Sequence, residues 1–154
     1  MMHRKVVLRV VSKFLIPPIL LFALYVQFHG DFGPGGGFQA GVIFGSGFIL
    51  YAILFGVETV KRVLPPWSTR LLLVVGVLTY GLTGVAGLIL GGNYLDYNVL
   101  AHDPLHGQHY GILIVELGVG ITVAAAMITI FNVFASQMGG DWGHAGISRL
   151  ARCW

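Results

Sequence analysis

The stretch HGDFGPGGGFQAG, residues 29–41, is a polar, glycine-dense break in a very apolar chain. Five of the first nine residues are glycine, with a histidine, an aspartate and a proline among them. Apolar runs long enough to cross a bilayer lie on both sides. A break of this kind between two such runs reads as the turn between two membrane helices.

Composition points the same way. Of the 154 residues, 56% are hydrophobic and 10% charged, and the mean hydropathy is +0.82. Soluble domains carry roughly a quarter charged residues. One soluble core of this size has no room for so much apolar surface, so lipid is the expected solvent. The formal net charge of +3 does not describe a nucleic-acid partner. The nine basic residues fall in three short segments and make no basic face interleaved with aromatics.

Working outward from the break, four apolar segments emerge, at about 6–28, 38–57, 71–90 and 110–134. Each is near the roughly 20 residues that cross about 30 Å of hydrocarbon as a helix. In lipid every backbone group must be bonded within its own segment, which selects helices over strands at this length. The expected fold is an all-α integral membrane protein with four transmembrane helices in one domain, 1–137, and a short cytoplasmic tail, 138–154. Arg4, Lys5, Arg9 and Lys13 precede or open the first helix, Lys61, Arg62 and Arg70 lie between the second and third, and Arg149 and Arg152 follow the fourth. The loops 29–37 and 91–109 hold no Lys or Arg. The positive-inside rule then puts both termini in the cytoplasm and the glycine break outside. No small-x-small cleavage site follows the first apolar run, so it reads as a retained span.

Pro17 and Pro18 remove two backbone donors and are expected to bend or interrupt the first helix. Lys13 falls at the cytoplasmic edge, either snorkelling to the interface or paired with a carboxylate. Cys153, the single cysteine, excludes an intramolecular disulfide and a cysteine-based metal site. Trp142 and Trp154 in the tail suit an interface or a partner.

Gly35 to Ala40 formally match the G-x-G-x-x-A dinucleotide fingerprint, but that motif needs a preceding strand and a parallel sheet, and here a membrane helix precedes it. Packing is the better physical account. Gly37, Gly41 and Gly45, four apart, make a smooth stripe that lets a neighbouring subunit or helix approach closely. Pro34 restricts the turn, Gly35 and Gly36 supply unusual backbone conformations, and Phe38 and Gln39 open the second helix. Thr83, Gly87 and Gly91 form a second small-residue row, and Gly120 with Ala124 a third. Such a surplus of close-approach faces suggests one piece of a larger membrane assembly.

With those residues in view, the segment from Leu8 to Gly56 resembles the MnhB/MrpB family, small subunits of multisubunit sodium/proton antiporters. Pro34-Gly35-Gly36-Gly37-Phe38 carries the likeness, supported by Gly30, Gln39, Gly41 and the cationic-then-proline first helix. The last two helices match in number, length and topology. Asp31 and the Pro17-Pro18 pair depart from the family pattern. The resemblance implies a multi-pass protein of the bacterial cytoplasmic (inner) membrane, in a complex of six or seven different subunits that exchanges Na+ for H+. No cofactor and no catalytic residue are expected for this subunit.

Inside the spans Glu116 stands out, six residues into the fourth apolar segment. An intramembrane acid is costly and marks either an ion or proton path or a neutral contact across a helix interface. Lys13, His29 and Asp31 are the other candidates for such a path. His102 and His106 have zinc-like spacing, but Pro104 and Gly107 are expected to spoil the helix that a site would need. With Asp103 and His109 they make either a proton-collecting rim or a solvated loop. No nucleophile–base set or phosphate loop is present. Two other classes fit the same features: a small subunit of a related energy-converting complex such as a hydrogenase, and a self-contained oligomeric channel.

Overall fold

The computed structural model describes residues 2–30, 35–100 and 103–150. Five α-helices occupy them: α1 (Met2–His29), α2 (Gly37–Phe55), α3 (Val57–Val63), α4 (Pro66–Ile89) and α5 (Pro104–Leu150), with one 3-10 turn at Tyr97–Leu100. Four are long and apolar enough to cross a membrane, over Val7–His29, Gly37–Phe55, Pro66–Ile89 and Leu105–Gln137. No strand occurs among the described residues.

The helices pack in an order that differs from the chain order. α1 lies on α2, α2 on α5, and α5 on α4. α5 is therefore central, held between α2 on one side and α4 on the other. The core is built of small residues: Ala23, Ala40, Ala52, Ala124 and Ala125 are all buried. Large aliphatic and aromatic side chains, such as Phe14, Leu21, Val77, Leu82 and Phe134, face outward. That inversion is expected where the solvent is lipid and helices associate by close backbone approach.

Four local features depart from the sequence-based expectation. Pro17 and Pro18 do not interrupt the first helix, since both lie inside a continuous α1. Membrane helices tolerate proline because surrounding groups and small local adjustments satisfy the freed carbonyls. The third span begins at Pro66 rather than near 71, with a proline in the first turn, where the missing N–H costs nothing. The fourth begins at Pro104 and not at 110. Asp103 caps it: its Oδ1 accepts the Leu105 N–H at 3.2 Å and its carbonyl accepts the Gly107 N–H at 3.0 Å. Pro104, expected to spoil a helix, instead starts one. The short α3 was not foreseen; Gly56, at φ +93°, separates it from α2.

α5 continues through to Leu150, so residues 138–150 of the expected tail extend the same helix. Its 33-residue apolar part measures about 50 Å at 1.5 Å per residue, against about 30 Å of hydrocarbon. Depth in the bilayer therefore has to be judged from its neighbours.

Candidate functional site

The glycine stripe of α2 faces α5 of the same chain. A methyl group on Gly37 would fall on the carbonyl oxygen of Glu116. One on Gly41 would lie 2.6 Å from the carbonyl oxygen of Gly120, and one on Gly45 3.2 Å from Cβ of Met127. The row Gly120–Ala124, read from the sequence as a separate face, is the other half of this seam. On the opposite side of α5, Gly76 of α4 meets Thr122 and the carbonyl of Gly118. The Thr122 hydroxyl donates back to the Gly118 carbonyl at 2.8 Å, so it brings no open donor to this interface. These small-residue rows are thus used inside the chain, and α5 is the helix they bring close.

At one end of the α2–α5 seam the Glu116 carboxylate is lodged in the glycine turn. Its Oε2 lies 2.6 Å from where a Cβ on Gly30 would stand, and its Oε1 2.9 Å from the corresponding point on Gly36. Gly36 has φ +122°, a conformation that side chains of L-residues rarely adopt, and it is the residue that turns the chain into α2. Gly35 completes the turn, with the Val26 carbonyl 3.0 Å from its Cβ position. A side chain on Gly30 or Gly36 would displace the acid, and one on Gly37 would push α5 away. The motif and the acid are therefore one structural unit.

Glu116 lies twelve residues into α5, yet beside Gly37, the first residue of α2. Measured against its neighbours it stands where α1 ends and α2 begins, near the boundary of the apolar layer. Counting six residues from Tyr110 along this helix alone puts it about 9 Å inside, but the apolar run of α5 is longer than the bilayer is thick, so that count does not fix its level. A carboxylate beside the first turn of α2 also complements the positive end of that helix.

The other candidates disperse. His29, the last residue of α1, stacks on Tyr25 with ring centroids 5.1 Å apart. Lys13 is exposed, with its Nζ 5.7 Å from the centre of the Phe55 ring, a cation–π contact at the far end of α2. Phe38 and Gln39 point away from the seam and are exposed. Asp31 and Pro34 lie outside the described residues, as do His102, Cys153 and Trp154.

The second inter-helix loop packs back onto the bundle instead of standing in solvent. The Tyr94 ring fills the space left by Gly84 of α4, and the Tyr97 ring that left by Gly111 of α5. Burial, together with Tyr80 and Tyr94 nearby, raises the pKa of the Tyr97 phenol above its ordinary 10.0. Gln108 donates to Asn98 at 3.1 Å and ties the loop to the first turns of α5. His106 and His109 are exposed there. Among the described residues no three His, Cys, Asp or Glu side chains converge on a point that would hold a metal ion.

Sequence reasoning passed over Gln27, one turn before the glycine break. It is 8% exposed, and its Oε1 sits 2.6 Å from the Cβ position of Gly120. Its signal was available: a lone amide near the end of an apolar span is itself unusual.

Comparison with known proteins agrees with this geometry. Residues 7–129 match the family model described as a domain related to the MnhB subunit of Na+/H+ antiporters. An antiporter subunit mnhB2 of Staphylococcus haemolyticus (strain JCSC1435) is 37% identical over 133 residues, covering 84% of this chain and 94% of the relative. The mnhB2 subunit of Staphylococcus aureus (strain Newman) is 36% identical over the same shares.

Proposed function

Because the chain belongs to the MnhB family of Na+/H+ antiporter subunits, we propose that it packs beside larger subunits and lends Glu116 to an ion or proton path at the outer end of the α2–α5 seam. It is a multi-pass protein of the bacterial cytoplasmic membrane and a transporter subunit rather than an enzyme. Its partners are the other members of a six- or seven-subunit complex, and the transported ions are Na+ and H+. In this reading both termini are cytoplasmic, an orientation supported by the absence of Lys and Arg from the loops 29–37 and 91–109 and the confinement of all nine basic residues to three other segments.

The observation that carries the role of Glu116 is its position. It is the only acid within the four apolar spans. Its half-buried carboxylate stands at the boundary of the apolar layer, in a turn whose glycines leave room for it and for little else. A carboxylate there can take a proton or attract a cation from the adjoining loops, which hold no Lys or Arg. The same contacts hold the two helices in register, so position and charge are separable by substitution.

Glu116→Gln keeps the size of the side chain and removes the charge. In everted vesicles containing the whole complex, Na+-dependent proton exchange should fall, or its pH profile move, while the complex still assembles. Glu116→Ala should in addition loosen the turn, because its contact groups lose their partner. Normal exchange across the pH range in an assembled Glu116→Gln complex would leave Glu116 as a structural contact only.

A further inference from the structure

On one face of the bundle α2 and α5 form the floor of a groove of about 390 Å³, flanked by α1 and α4. Two properties set it apart from the lipid-facing surface. First, its floor is made of small residues, Ala40, Gly41, Gly120, Ala124 and Ala125, whereas the exposed faces elsewhere carry Leu, Val, Ile and Phe. Along α5 the lining runs from Leu117 to Ile128, about 17 Å or three helical turns at 1.5 Å per residue. Second, Gln27 lines it while more than nine-tenths buried. Its amide makes no hydrogen bond among the described residues. Thr69, the other polar lining residue, is already satisfied by the Pro66 carbonyl at 3.1 Å.

An amide held in an apolar groove at membrane depth without a partner is costly, because no water is there to replace one. Acyl chains would fill the groove but offer the amide nothing. A helix does both: small residues let its backbone approach, and one side chain supplies the hydrogen bond. We propose that this groove seats a transmembrane helix of a companion subunit, one that presents a hydrogen-bonding side chain to Gln27 flanked by larger apolar residues that settle on the alanine floor. The inference rests on the chain being one subunit of a larger antiporter assembly, and it names the face through which that assembly is held. Exposed Leu24, Leu72 and Leu117 form the rim that would grip the incoming helix.

The test uses the whole complex expressed in its membrane. A photo-crosslinking residue, p-benzoylphenylalanine, replaces Leu72 at the rim, or Val77, which lies roughly 140° round α4 at 3.6 residues per turn and is 57% exposed. The rim probe should give an adduct with the mass of one companion subunit, and the Val77 probe should give far less of it. A rim adduct with lipid alone, or with a second copy of this chain, would overturn the proposal. Co-purification of the unsubstituted chain with its companions, scored separately, tells a failure of this inference from a failure of complex membership.

The amide is tested by Gln27→Leu against Gln27→Asn and Gln27→Glu. Loss of one interhelical hydrogen bond should lower the fraction of chain retained in the solubilised complex about three- to thirty-fold. At least one of the polar variants should restore part of it. Equal retention of Gln27→Leu and the unsubstituted chain would show that the groove needs no polar partner.

Discussion

Alanine placed along the α2 seam should produce graded damage rather than a uniform effect. At Gly41 the new methyl would stand 2.6 Å from the Gly120 carbonyl oxygen, where ordinary contact begins at 3.4 Å, so α2 and α5 must part by about 0.8 Å. The obstacle is helix backbone and cannot swing aside. Overpacking of this kind costs about 1–3 kcal/mol, a roughly 5- to 150-fold loss in the folded-to-unfolded ratio. At Gly45 the nearest atom is 3.2 Å away, so a shift of a few tenths of an ångström suffices. There the gain in helix propensity from Gly to Ala, about 0.8–1 kcal/mol, offsets most of the crowding, and the variant should be near neutral. At Gly37 the methyl would fall on the Glu116 carbonyl itself, so this variant should be the least stable of the three. Fluorescence-detected size-exclusion after heating solubilised membranes ranks them by the temperature at which the monodisperse peak is lost. Equal temperatures for Gly37→Ala and Gly45→Ala would refute the seam, since both lie on the same face and differ only in how closely α5 approaches.

Gly30→Ala and Glu116→Ala should be non-additive, because the methyl at Gly30 is opposed chiefly by the carboxylate that the second change removes. A coupling of about 0.5–3 kcal/mol is expected in a thermal-stability cycle, and additivity within about 0.5 kcal/mol would place the carboxylate elsewhere. In a Cys153→Ser background, cysteines at Ser68 and at exposed Asn98 should be labelled by a membrane-impermeant maleimide from opposite sides. Labelling of both from the same side would rule out the four-span topology.

The class of structure and the faces available to it are legible in the residues alone. Hydropathy and the length of its runs are properties of contiguous residues, so four apolar helices with a glycine turn between the first two were legible without coordinates. The spacing of Gly37, Gly41 and Gly45 likewise put the three on one side of α2 whatever that side would meet. The start of α5 is also written locally, in Asp103-Pro104, but Pro104 reads equally as a helix breaker and as a first-turn residue capped by the aspartate before it, and only the second is realised.

What those faces touch depends on how the helices pack. Helical periodicity assigns a residue to a side but carries no information about which helix lies opposite. It therefore left open that the stripe of α2 closes on Gly120 and Ala124 of its own chain. The same holds for Glu116. Its depth was misjudged when counted along one helix, since α5 is longer than the bilayer is thick, and only the neighbouring start of α2 sets its level. Gln27 shows the limit most clearly. Nothing in the residues around it says that the side chain is more than nine-tenths buried and lines a groove, because its burial comes from α2 and α5, the latter some ninety residues further along the chain.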